Sequence, residues 1–366
     1  MIKVLVVDDS PLVRKLFGRV LTEEPGFEVA FARDGVEALD KLETFRPDVV
    51  TLDVNMPQMN GLDCLDRIMV QRPSPVVMVS SVTEAGADAA LQALRLGAVD
   101  FVAKPTGAVS LHIDTFAPTF LEKIRAAAAA KLPASKRLRE RVQLRSSGMR
   151  PGKARSVALD QDEAEVGAAV GEGIVLVGTS TGGPSALETL LTALPETFAW
   201  PILVAQHMPA GFTGAFAKRL NGVCALDVVE ASRPLRLQSG CIYIGRGDAD
   251  IVVSRRPGGL VVMAAPARAN YPWHPSTDRL VRSAMDLLPA SQLIGVLMTG
   301  MGNDGAEAMA ELRAKGGRTI AEAEETAVVW GMPGELVKAG GADFVLPLPR
   351  IADRLCKLVP NDAAGS

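Results

Sequence analysis

The chain alternates short, unbroken apolar runs with longer segments whose apolar residues recur three or four positions apart. Runs of the first kind occupy residues 4–7, 76–79 and 101–103, with 49–52 interrupted only by Thr51, and each gives way abruptly to polar residues. Such runs read as strands buried on both faces. Between them Leu12, Val13, Leu16, Phe17, Val20 and Leu21 fall on one helical face, as do Leu62, Leu65, Ile68 and Met69, and then Leu91 with Leu94. Ser10 is placed to cap the first of these helices, with Pro11 at its first position. The alternation resumes later with runs at 174–177, 202–205 and 294–298, the first followed by a helix-spaced set, Leu187, Leu190, Leu191 and Leu194. Strands that alternate with helices predict an α/β fold of parallel sheets flanked by helices, with ligands at the carboxyl ends of the strands.

Between the two halves the pattern lapses. Residues 131–155 are basic, with Lys136, Arg137, Arg139, Arg141, Arg145, Arg150 and Lys153 against Glu140, and Asp160, Asp162, Glu163 and Glu165 follow. Few aromatics and mixed charge describe a solvated tether. A nucleic-acid arm is the other reading, and it lacks aromatics and a recognition motif. The organisation expected is a first domain over 1–122, a charged linker over 123–168 and a second domain over 169–360. A chain of 366 residues is long enough to give each domain its own core.

Composition narrows the setting. A net charge of -3 gives no ground for a nucleic-acid or anionic-membrane partner. No apolar run approaches the ~18 residues of a membrane span, so no direct membrane insertion is expected. The first residues run straight into Asp8-Asp9, unlike a signal peptide. Cys64, Cys224, Cys241 and Cys356 are scattered without a C-x-x-C pair, which argues against a disulfide framework or structural zinc. A soluble cytoplasmic monomer is expected.

At the strand ends of the first half stand Asp8, Asp9, Asp53, Ser80 and Lys104. Singly, each reads as a strand-end polar group or a helix cap. Together they have a chemical purpose: carboxylates crowded in one crevice repel one another and call for a hard cation, Mg²⁺ with oxygen ligands. With Lys104 beside it, such a site neutralises an incoming phosphoryl group and leaves Asp53 to attack it.

In the second half the stretch Gly178-Thr179-Ser180-Thr181-Gly182-Gly183 stands between a strand and a helix. Three readings compete: a nucleophile elbow presenting Ser180, a glycine-rich turn with an incidental serine, and a phosphate cradle, although neither dinucleotide nor P-loop spacing is met. A nucleophile needs a base, and the chain has three histidines, His112, His207 and His274. His207 follows a strand run and so shares the rim with Ser180, whereas His274 lies in a proline-rich loop as the competitor, and His112 belongs to the first domain. Asp304, in Thr299-Gly300-Met301-Gly302-Asn303-Asp304-Gly305, reads either as a turn residue or as the carboxylate that orients the imidazole. Backbone N–H groups near Thr181 and Met301 are the candidates for binding an oxyanion.

Both halves resemble known families. Val6-Val7-Asp8-Asp9-Ser10, Leu52-Asp53-Val54-Asn55-Met56-Pro57 and Ala103-Lys104-Pro105 are similar to a response-regulator receiver domain. That resemblance implies a (βα)5, flavodoxin-like doubly wound sheet, Asp53 as phospho-acceptor and Mg²⁺ held by Asp8, Asp9 and Asp53. It also implies Lys104 as the phosphoryl contact and Ser80 with Phe101 as the switch pair. Gly178-Thr179-Ser180-Thr181-Gly182-Gly183-Pro184, Gln206-His207-Met208-Pro209-Ala210-Gly211-Phe212-Thr213 and Thr299-Gly300-Met301-Gly302-Asn303-Asp304-Gly305-Ala306 resemble the CheB family of protein-glutamate methylesterases. This implies a Rossmann-like, mostly parallel sheet without a cofactor, a triad of Ser180, His207 and Asp304, and hydrolysis of glutamyl methyl esters on chemoreceptors with deamidation of receptor glutamines. The partners implied are methylated chemoreceptor cytoplasmic domains and a chemotaxis histidine kinase as phosphodonor. Asn55 departs from the acidic residue often found there, and Met332-Pro333-Gly334-Glu335-Leu336 lacks the family's usual basic residue.

Overall fold

The computed structural model describes residues 1–104, 113–132, 173–268 and 270–360. The chain divides into two compact units, Met1–Arg150 and Pro151–Ser366. In the first, β1 (Ile2–Val7), β2 (Phe27–Ala32), β3 (Val49–Asp53), β4 (Val76–Ser80) and β5 (Asp100–Ala103) alternate with α1 (Pro11–Glu23), α2 (Gly35–Thr44), α3 (Gly61–Gln71), α4 (Glu84–Leu96) and α5 (Ile113–Ala128). Side-chain caps set the helix starts: Ser10, Asp34, Asn60 and Thr83 each accept a backbone N–H from the first turn that follows.

The five strands run parallel in the order β2-β1-β3-β4-β5. The order reverses between β1 and β3, so the carboxyl ends of these two strands open a crevice. Leu16, Phe17, Val20 and Leu21 of α1 are buried as the spacing predicts, but Leu12, in the first turn, stays 58% exposed. Edge strand β2 has no unbroken apolar run because part of it faces solvent, which hides it from the pattern. Phe120, Ile124 and Ala127 of α5 are buried together, so the apolar face of this helix carries on past residue 122, where the domain boundary was expected. Residues 133–168 of the expected linker, along with His112 and Pro105, lie outside the described residues.

In the second unit the strands are β6 (Ile174–Thr179), β7 (Ile202–Gln206), β8 (Asp227–Ala231), β9 (Leu235–Arg236), β10 (Cys241–Gly245), β11 (Ala249–Arg256), β12 (Gly259–Pro266), β13 (Leu293–Leu297), β14 (Arg318–Glu322) and β15 (Phe344–Leu346). The helices are α6 (Gly183–Thr192), α7 (Ala210–Asn221), α8 (Thr277–Met285), α9 (Ala306–Ala314), α10 (Met332–Lys338) and α11 (Leu348–Leu358). Seven strands form a parallel sheet in the order β15-β14-β13-β6-β7-β10-β8. A separate antiparallel sheet, β11-β12-β9, packs on the same core through Ile251, Val253, Leu260 and Val262.

From β6 the chain moves outward through β7 on one side and later returns to β13 on the other. The switch point therefore lies at the carboxyl end of β6, which is where open α/β sheets place their ligands. Ser180 follows β6, His207 follows β7 and the glycine-rich loop of Asp304 follows β13.

Candidate active site

Strand register brings the first two residues together. Thr179 pairs with Gln206 in the β6–β7 ladder and His207 N donates to Thr179 O at 3.1 Å, so Ser180 and His207 leave adjacent strands side by side. Ser180 N donates to Thr299 O at 3.0 Å, which fastens the serine turn to the loop after β13. The fit is close: a Cβ at Gly300 would stand 2.8 Å from Ser180 Cβ and 2.4 Å from Met332 Sδ. Only glycine lets these backbones approach so nearly.

His207 Nε2 and Asp304 Oδ2 are 2.8 Å apart, and both side chains are buried. Asp304 also accepts Thr277 N at 2.6 Å, Asp278 N at 3.1 Å and the Ser276 hydroxyl at 2.9 Å. Its carboxylate thus sits on the N-terminus of α8, where unpaired N–H groups favour negative charge. Burial alone would raise its pKa; the hydrogen bonds from His207, Thr277 and Asp278 outweigh burial and hold it below the ordinary carboxylate value. Ionised, Asp304 only accepts, so Nε2 carries the imidazole proton and Nδ1 is left with its lone pair. Nδ1 is buried and has no hydrogen-bond partner. The Trp273 ring lies parallel to the imidazole, with centroids 6.0 Å apart and planes 2° from parallel.

His274 goes elsewhere. Its Nδ1 meets Asp250 Oδ1 at 2.8 Å, and Asp250 also pairs with Arg279 at 2.5 Å and accepts Ser276 N at 2.8 Å. This network fixes the loop that leads into α8 rather than competing for Ser180. Thr181 is buried and its carbonyl accepts the Thr299 hydroxyl at 2.9 Å. Met301 N–H makes no hydrogen bond among the described residues.

In the first unit the ligand oxygens of Asp8, Asp9 and Asp53 lie within 4.8 Å of one another at the crevice between β1 and β3. Lys104 Nζ stands 2.7 Å from Asp53 Oδ2 and 3.0 Å from Asp8 Oδ2. Burial raises the Asp53 pKa and the Asp8 charge adds to this, while Lys104 offsets part of it. For Lys104 burial works downward, but the two carboxylates prevail and raise its pKa. Crowded, partly desolvated carboxylates with one cationic neighbour suit a small divalent cation. Gly61 is required here, since a Cβ would stand 2.0 Å from the Asp53 carbonyl oxygen. The buried Ser80 hydroxyl donates to Gly86 O at 2.8 Å, and Phe101 is buried with Lys123 Nζ 5.4 Å from its ring centre.

Comparison with known proteins finds a family match for each half of the chain. Residues 175–355 match the family model described as CheB methylesterase, and residues 4–114 match the response regulator receiver domain. A protein-glutamate methylesterase/protein-glutamine glutaminase 2 of Rhodopseudomonas palustris (strain BisB18) is 54% identical over 366 residues, covering 100% of both chains. The chain belongs to the CheB family. A second relative, protein-glutamate methylesterase/protein-glutamine glutaminase 3 of Rhodospirillum rubrum, is 52% identical over 355 residues, spanning 97% of this chain and 95% of that protein. The crystal structure of the Thermotoga maritima CheB methylesterase catalytic domain is 37% identical, with a TM-score of 0.49, and covers 51% of this chain and 98% of that one.

Several residues of this CheB-family site escaped the sequence reading. Ser276, Thr277 and Asp278 hold Asp304, and their signal was present: Ser276 precedes the helix-spaced Leu280, Val281 and Ala284, as an N-cap does. Gln206 and Glu322 are buried polar residues at strand ends, where the apolar pattern stops. Glu322 accepts Thr299 N at 2.8 Å and the Thr326 hydroxyl at 3.0 Å. Trp273 had no sequence signal, because its partner His207 lies far away in the chain. No helix of the described residues is long and apolar enough to cross a membrane.

Proposed function

We propose that this chain is a phosphorylation-activated serine hydrolase that removes methyl esters from chemoreceptor glutamates and deamidates particular receptor glutamines. The observation that carries the reading is the imidazole of His207, held through Nε2 by Asp304 while the buried Nδ1 stays unpaired beside the strand end that bears Ser180. Ser180 Oγ attacks the ester carbonyl carbon as His207 Nδ1 takes its proton, giving a tetrahedral oxyanion and an imidazolium. Asp304 stabilises that imidazolium without being protonated. Backbone N–H groups of the loops carrying Thr181 and Met301 bind the oxyanion. His207 returns the proton to the leaving methoxide, methanol departs, and water cleaves the acyl-enzyme by the same base. With glutamine as substrate the leaving group is ammonia.

In the first unit Asp53 accepts a phosphoryl group from a chemotaxis histidine kinase, and Lys104 pairs with the transferred phosphate. Asp8, Asp9 and Asp53 would hold Mg²⁺, which when bound neutralises phosphoryl oxygens. Ser80 and Phe101 then report the new charge on Asp53 and turn on the hydrolase. The test is methanol release from methylated receptor fragments with and without a phosphodonor. Parent protein releases methanol, faster with the phosphodonor, and Ser180→Ala releases none above background. Near-normal release by Ser180→Ala refutes the nucleophile.

A further inference from the structure

We infer that Gln206 is a positioning residue that sets the spacing between nucleophile and base, a role that rests on the serine-hydrolase reading. Its Nε2 donates to Ser180 O at 3.1 Å and to His207 O at 3.0 Å. One side-chain amide therefore ties together the backbones of the two residues whose side chains must meet. The β6–β7 ladder ends at Thr179 and Gln206, and beyond it the two chains depart toward different helices. Gln206 extends the cross-strand tie one residue past the end of the sheet, to the position where the chemistry occurs.

The orientation of the amide follows from its partners. Two carbonyl oxygens can only accept, so they face the NH2 group and Oε1 turns away. Oε1 is buried without a partner and lies against Gly183, where a Cβ would stand 2.0 Å from it. An unpaired buried acceptor is destabilising, and an apolar residue of the same length would avoid that. The donor pair is the one property of Gln206 that such a residue would lack. Ser180 O also accepts Gly183 N at 2.8 Å, so the carbonyl behind the nucleophile is held from the strand side and the helix side together.

The experiment is labelling of Ser180 in the full-length chain by a fluorophosphonate, in which the Oγ–P bond forms, fluoride leaves and His207 takes the proton. Rate (kinact) and affinity (KI) are measured for parent, Q206M and Q206E. Q206M keeps the length without donors; Q206E keeps the shape but sets acceptor oxygens against two carbonyls. A misplacement near 1 Å costs on the order of a hundredfold, so kinact falls about ten- to a hundredfold in Q206M and further in Q206E, with KI unchanged. Circular dichroism and thermal unfolding identify which variants fold, and either folded variant carries the test. Parent-like kinact in a folded Q206M, or in Q206E where that variant alone folds, overturns the proposal. An unlabelled parent overturns the serine reading itself, a result distinct from parent and variants labelling equally.

Discussion

Asp304 engages His207 through Nε2, at 2.8 Å, and so leaves Nδ1 as the nitrogen with a free lone pair. The tautomer is fixed by an aspartate that is itself fixed by the N-terminus of α8 through Thr277 N and Asp278 N. Orientation of the His207 ring is thus delegated to a helix that carries neither Ser180 nor His207.

This relationship predicts the outcome of Asp304→Asn. The amide no longer guarantees an acceptor for Nε2–H, and the wrong tautomer is admitted. Turnover falls about 10⁴-fold, as expected when a triad carboxylate is neutralised with its shape retained. Methanol release by the purified variant is the measurement, and a loss under about tenfold would mean that Asp304 does not set the tautomer.

Gly300→Ala tests the close approach of two backbones. The added methyl would meet Ser180 Cβ at 2.8 Å and Met332 Sδ at 2.4 Å. Met332 can shift, but the Ser180 backbone is pinned by Thr299. Overpacking of this kind costs about 1–3 kcal/mol of stability, and displacement of Ser180 lowers its labelling by about tenfold or more. Thermal unfolding and fluorophosphonate labelling read the two effects separately.

The two buried carboxylates behind the site give opposite pH dependences. Asp304 is held below the ordinary value, so its contribution to stability is present above the unfolded pKa of about 3.9 and is lost as pH falls through the lower folded value. Glu322 is fully buried, and burial raises its pKa against the pull of Thr299 N–H and the Thr326 hydroxyl. Its contribution is present below the unfolded pKa of about 4.3 and is lost as pH rises through the raised folded value. Glu322→Gln escapes that loss, so its Tm gains on the parent as pH climbs. A Tm difference independent of pH would contradict the assignment.

Mg²⁺ titration of Asp8→Asn and Asp53→Asn addresses the first unit. Each removes one carboxylate from the cluster within 4.8 Å, and affinity by calorimetry weakens on the order of tenfold. Chelation of the ion stops phosphoryl transfer from a small acyl phosphate to the parent, and Asp53→Asn accepts none at any Mg²⁺ concentration. Transfer to Asp53→Asn at the parent rate would move the acceptor elsewhere.

Local chemistry was legible wherever it is written in adjacent residues. Apolar runs named the buried strands at Val4, Val49, Val76, Ile174 and Ile202, because a strand covered on both faces is mostly apolar, with Thr51 the buried exception in β3. Edge strand β2 and the hairpin β11–β12 were missed, because half-exposed strands mix polar and apolar residues. The polar residues that close the runs marked the rim, since strand ends are where α/β sheets expose side chains.

By itself, then, the sequence determined the parallel α/β architecture, the strand-end carboxylates and lysine of the first unit, and the candidates Ser180, His207 and Asp304. Only the tertiary structure showed which carboxylate each histidine meets, Asp304 for His207 and Asp250 for His274, because those pairings cross long stretches of chain. It alone decided which imidazole nitrogen is free, and it alone joined Gln206 to Ser180 and Ser276 to Asp304. Those links span tens of residues along the chain, and their partners meet only after the sheet has ordered its strands.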